Sequence, residues 1–208
     1  MTTRVFLFFS ILLTALLAVT GCMVVTDSSA PYGRVGVALA DPDVDLALWQ
    51  APETLSEYVL QGSVQGSEQN LRLFRYVSTA RPEEVLELSI YPIPGGWEDL
   101  PPIRMVEGHF PQAREAELRR IQRHSQTDVT ETLHQSTANE AFKYPVAISE
   151  MHSQGGRQSM SSLLMLTADK PVFIRLHLHS KDDDLMSRSE QMIQLLVAFR
   201  DGLQRHAE

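Results

Sequence analysis

The residues of this sequence best placed for chemistry are two histidines one position apart, His177 and His179. They close the run Val172-Phe173-Ile174-Arg175-Leu176-His177-Leu178-His179. Alternation with period two is the pattern of a strand, so both imidazoles fall on one face. Two imidazoles so placed begin a metal site, and a third ligand must then come from elsewhere. His152 and Glu150, on another apolar-rich stretch, would serve if strand register put them on that face. Asp182, Asp183 and Asp184 lie just beyond the pair, but they also read as the start of a helix, where negative charge is favoured. Without an assured third ligand the expectation is no metal site, with His177 and His179 as the candidates should one exist.

Other reactive constellations do not assemble in the sequence. It has no Gly-x-Ser-x-Gly, no His-Glu-x-x-His and no phosphate-cradling glycine loop. Ser159, Ser161 and Ser162 fall in a stretch that reads as a central strand, a poor place for an exposed nucleophile. The expectation is therefore a non-catalytic protein with no cofactor and no catalytic residues. The alternative is a metal-binding protein or a hydrolase that uses the His177/His179 strand end.

The single cysteine, Cys22, has a different context. Arg4 precedes an apolar run, Val5 to Phe9 and Ile11 to Val19, that is too short to span a bilayer and ends in the small residues Thr20 and Gly21. This pattern predicts a signal peptide over residues 1–21. Val19-Thr20-Gly21-Cys22 resembles the lipobox of bacterial lipoproteins, which implies a diacylglyceryl cysteine at the new N-terminus. One acyl chain anchors marginally and two or more hold firmly. Met23, rather than Asp, after the cysteine implies by the same resemblance transport to the periplasmic face of the outer membrane.

Loss of Arg4 with the signal moves the formal charge from -8 to -9, and the acidic surface argues against nucleic acid as a partner. With Cys22 carrying lipid, no disulfide or thiolate metal site is available and stability must come from a hydrophobic core. The mature chain has the length of one domain. Residues 22–36, with Thr, Asp, Ser, Ser, Ala, Pro and Gly in close succession, read as a lipidated N-terminus and tether, and 37–208 as a single α+β domain.

Within that domain, residues 37–56 show no clear period. Tyr58 to Val64, Leu71 to Val77 and Leu86 to Tyr91 read as strands, with short spacings that suggest antiparallel pairing. Pro92, Pro94, Gly95, Gly96, Pro101 and Pro102 predict a long irregular loop. A helix is expected to open at Pro111, with Phe110, Ala113, Leu118 and Ile121 inward and Arg114, Glu115, Arg119, Arg120 and Arg123 on a solvated face. Val129–Leu133, Val146–His152, Ser159–Thr167 and Val172–His179 read as a meander. Ser180, with Asp183 three residues on, suggests the capping box of a last helix bearing Leu185, Met192, Leu196, Phe199 and Leu203 on its apolar stripe.

This order of elements resembles PsbP-like domains, particularly the DcrB-like bacterial lipoproteins. Ser161-Ser162-Leu163-Leu164-Met165-Leu166, Leu176-His177-Leu178 and Met192-Ile193-Gln194-Leu195-Leu196 carry the resemblance. It implies an antiparallel sheet meander with an internal amphipathic helix and a C-terminal helix packed on it, and it brings no catalytic residues. A mixed aromatic and charged cluster, Phe74, Tyr76, Tyr91, Phe173 and Arg175, is expected to offer a surface for an envelope protein partner, unless a second helix covers it.

Overall fold

The period-two stretches pair into one long antiparallel sheet in a computed structural model of the chain. The structure describes residues 44–66, 70–125, 129–137, 144–155, 158–181 and 184–205. The expected signal segment, Cys22 and the tether lie outside them, as do Asp182 and Asp183. Among the described residues no helix is long and apolar enough to cross a membrane.

A 3-10 turn at Leu46–Leu48 leads into two short strands, β1 (Trp49–Gln50) and β2 (Thr54–Leu55). Next come β3 (Tyr58–Gly66), β4 (Leu71–Ser78) and β5 (Val85–Pro92), then helix α1 (Pro102–Ser125). A second meander follows: β6 (Val129–Thr137), β7 (Val146–Gly155), β8 (Gln158–Asp169) and β9 (Val172–Ser180). Helix α2 (Ser189–Gly202) and β10 (Gln204–Arg205) complete the described chain, with β10 paired to β1.

The eight-stranded sheet runs β2-β3-β4-β5-β9-β8-β7-β6. The chain leaves β5 and re-enters at β6, four strands away, a span of about 19 Å at the usual strand spacing. Helix α1 makes that crossing, and the meander from β6 to β9 then leads back to pair with β5.

Opposed residues of antiparallel strands share a face, and the register therefore sorts the core into two layers. Tyr76, Leu86, Leu178 and Leu163 form one row of a face that packs against α2 and the segment from Val44 to Leu55. Tyr91, Phe173 and Ala168 form a row of the other face, under Met105, Val106 and Phe110 of α1. Both faces are covered, which is why β9 is apolar in both parities apart from its histidine end and Arg175.

Two helix starts differ from expectation. Helix α1 opens at Pro102, where a missing N–H is harmless, and Pro111 lies inside it. An interior proline forfeits one backbone hydrogen bond. Burial of Met105, Val106 and Phe110 before it and of Ala113 after it outweighs that loss. Ser180 does not cap a helix: it ends β9, and its hydroxyl donates to Glu84 Oε1 at 3.0 Å. Asp184 instead accepts the Ser187 N–H at 3.1 Å, at a 3-10 turn (Met186–Arg188) that leads into α2.

Candidate functional site

Strand β9 turns His177 and His179 toward α1. Register sets Arg75, Glu87 and His177 in one cross-strand row, on β4, β5 and β9, and Val85, His179 and Ser162 in the next, on β5, β9 and β8. Helix α1 passes over this corner, and Glu117 and Arg120, three residues apart on one side of the helix, face the two imidazoles.

The contacts are close. His177 Nε2 lies 3.1 Å from Glu117 Oε1. Arg120 Nη2 lies 2.7 Å from His179 Nε2 and 3.3 Å from His177 Nδ1. Arg120 also donates Nε to Glu117 Oε2 at 3.0 Å and Nη2 to Oε1 at 2.9 Å. His179 Nδ1 is 3.1 Å from Ser162 Oγ, and the two rings sit with centroids 3.9 Å apart.

Arginine can only donate, so each nitrogen facing Arg120 is an acceptor. His179 is thus protonated on Nδ1, toward Ser162, and His177 on Nε2, toward Glu117. Burial, with His177 and Arg120 beside it, pushes the His179 imidazole down to about 2. Burial alone would raise the Glu117 carboxyl, but its contacts with His177 and Arg120 hold it well below the usual carboxylate range.

The expected third ligands are elsewhere. Glu150 opposes Leu163 and His152 opposes Ser161, which places both on the α2 face of the sheet, away from the histidine pair. There His152 Nδ1 meets Ser161 Oγ at 2.9 Å, and Glu150 accepts the Leu185 N–H at 2.8 Å. Glu87 takes the place instead. One of its carboxylate oxygens and a ring nitrogen from each of His177 and His179 lie within 4.8 Å of one another.

Sequence reasoning does not single out Glu87, and it places Arg120, with Glu117 as an intrahelical partner for the arginines, on a solvated helix face. A signal existed. Phe110, Ala113 and Glu117 stand at helical spacing on one stripe, and Glu117 is as buried as the apolar residues beside it. A carboxylate on an apolar stripe calls for a buried cation or imidazole partner.

The aromatic surface is corrected by the register. Phe74 and Tyr76 face α2, where both meet Phe199 edge-on, with centroids 5.5 and 6.5 Å away. Tyr91 and Phe173 face α1. All four are buried, so they form core and not a shared docking face. Arg175, half-buried, donates to Ser89 Oγ at 3.2 Å. Beside it His109 stacks on Phe173 at 4.5 Å and meets the Tyr91 hydroxyl at 3.0 Å.

No family model matches the chain, and no curated protein matches it. Among solved structures it is similar to the solution structure of cyanobacterial PsbP (CyanoP) from Synechocystis sp. PCC 6803, at 16% identity over 80% of this chain and 98% of that one, with a TM-score of 0.41. It is also similar to the crystal structure of a protein of unknown function from Pseudomonas aeruginosa, at 10% identity over 66% of this chain and 94% of that one, with a TM-score of 0.35.

Proposed function

We propose that this chain is a lipoprotein of the bacterial cell envelope, held by a diacylglyceryl group on Cys22 at the periplasmic face of the outer membrane. Its α+β domain acts there as a non-catalytic accessory or binding module for an envelope protein partner. The run from Val5 to Cys22 supports the anchoring: an apolar segment too short to span, small residues before the cut, and the cysteine directly after them.

The observation that carries the non-catalytic part is the state of the histidine pair. Ser162 and His179 look at first like a hydrolase dyad. However, His179 faces the serine with a protonated Nδ1 and turns its one acceptor nitrogen to Arg120. A base held near 2 takes no proton from a hydroxyl at neutral pH. Ser162 is itself buried in β8. The polar groups of this corner hold one another, Glu117 and Arg120 on α1 against the two rings on β9.

The test is replacement of Cys22 by Ser. The wild-type chain should label with radioactive palmitate and fractionate with outer membranes, and Cys22→Ser should accumulate as an unlabelled precursor. A Cys22→Ser protein that is cut normally and released as a soluble product would refute the anchoring.

A further inference from the structure

We propose that Glu87, His177 and His179 form a binding site for a borderline first-row divalent metal ion of the Zn2+ type, which enters by displacing the guanidinium of Arg120. The inference stands on the geometry of this corner and does not depend on the lipid anchor.

The ring lone pairs carry it. With His177 protonated at Nε2 and His179 at Nδ1, the acceptor nitrogens left over are His177 Nδ1 and His179 Nε2, and both point at a single atom, Arg120 Nη2. Two neutral imidazoles aimed at one point are what a metal ion requires, and here that point is occupied by a cationic N–H. The arrangement around the rings is also that of a metal centre. Each imidazole has its far nitrogen set against an oxygen, Glu117 Oε1 for His177 and Ser162 Oγ for His179, which fixes tautomer and ring plane as carboxylate–histidine–metal triads do.

The third donor comes from the neighbouring strand. The Glu87 carboxylate opposes His177 across the β5–β9 pair. One ring nitrogen of each histidine and one Glu87 carboxylate oxygen lie within 4.8 Å of one another, whereas ligands around tetrahedral zinc stand about 3.4 Å apart. Closing that gap asks for a shift of about 1.5 Å, within the rotamer freedom of a half-buried glutamate. Charge also favours exchange. Glu87 and Glu117 bring two carboxylates, and the cations near them now are Arg120 and, opposite Glu87, Arg75. A divalent ion in its place satisfies the same carboxylates and binds the imidazoles more strongly than an N–H does. Arg120 has somewhere to go, since its side chain is 22% exposed at the sheet-facing edge of α1. Three protein ligands leave a fourth position for water or a partner's side chain.

The test is isothermal titration of the full chain, purified in detergent, with zinc chloride. Wild type should bind one equivalent, and His177→Ala and His179→Ala should lose it. Arg120→Met should tighten binding about ten-fold or more, the scale expected when a like charge leaves a half-buried site. Glu87 is half-buried and belongs to neither core cluster, so Glu87→Gln serves as the variant that keeps its fold; it should weaken binding while leaving the thermal midpoint unchanged. Binding that survives His179→Ala, or an Arg120→Met protein that binds no tighter than wild type, overturns the proposal. So does saturable binding found in Arg120→Met but absent from wild type, because Arg120 would then exclude the ion and not exchange with it.

Discussion

Arg188 grips the buried carboxylate of Glu84 with both ends of its fork, Nη1 to Oε1 at 2.6 Å and Nη2 to Oε2 at 3.1 Å. The pair joins the turn before α2 to the segment that enters β5. Tyr58 and Ser180 each add a hydroxyl hydrogen bond to the carboxylate at 3.0 Å, and Arg81 Nε lies 3.0 Å from it. Burial would raise the Glu84 carboxyl, but the hydrogen bonds of Arg188 and Tyr58 bring it below its ordinary value.

Breaking one side of this pair should cost more than removing both. Arg188→Met leaves a carboxylate that is 1% exposed with its main cation gone, and the expected loss is about 3–5 kcal/mol. Adding Glu84→Leu should recover part of it, because an apolar pair needs no compensation. Urea denaturation of the two proteins checks this, and a double variant less stable than Arg188→Met would contradict it.

Acid should loosen the domain well above the carboxylate range. Burial, then the neighbouring Arg175, pushes the His109 imidazole down to about 4, although its hydrogen bond with Gln112 pulls the other way. His179 stands lower still, near 2, against an ordinary value of 6.5. Below 6.5 the unfolded chain takes up protons that the folded chain refuses. The stability is therefore complete above pH 6.5 and falls as pH drops toward 4 for His109 and toward 2 for His179. Each group contributes a slope of at most about 1.4 kcal/mol per pH unit. Urea midpoints at pH 7.5 and pH 5 should differ in that direction, and His109→Gln should flatten the difference. Equal midpoints would remove the buried neutral histidines from the account.

Phe173 belongs to the core and should behave so. Its ring is fully buried between Tyr91, His109 and Trp97. Phe173→Ala should cost about 3–5 kcal/mol, and Phe173→Glu should prevent folding. A Phe173→Glu protein with a native circular dichroism spectrum and thermal midpoint would return this residue to the surface.

The strands were legible in the sequence because a half-buried strand writes its period into residue types. Val172 to His179 alternates except at Phe173, and the structure has β9 over Val172–Ser180. What alternation does not reveal is register. His152 and His177 both lie on clear strands, yet pairing puts His152 opposite Ser161 and His177 opposite Leu164, on different faces. The same blindness merged Phe74 with Phe173. Helix α1 was half-legible, since Pro111 reads as a beginning and only tertiary burial of Met105 and Val106 carries the helix across it. The sequence reading misplaces Arg120 for a general reason: a long cationic side chain on a helix is usually solvated, and the stripe that carries Glu117 says that it is buried but not that its partners are the imidazoles of β9.

The Arg120 contact makes one further prediction, independent of any metal. The His179 imidazole is held down by burial first, then by His177 and Arg120. Arg120→Met removes the cation and the donor that needs Nε2 unprotonated, while leaving the ring under α1. Burial and His177 still act, so the imidazole should not reach its ordinary value. It should rise by about one unit or more, the size usual for loss of a charge within hydrogen-bonding distance. Histidine ring proton resonances followed from pH 7.5 downward in the presence of a chelator would report this, with His179→Asn assigning the signal. A titration of His179 unchanged by Arg120→Met would mean that the guanidinium does not control the protonation of His179, and that burial and His177 keep this ring neutral without it.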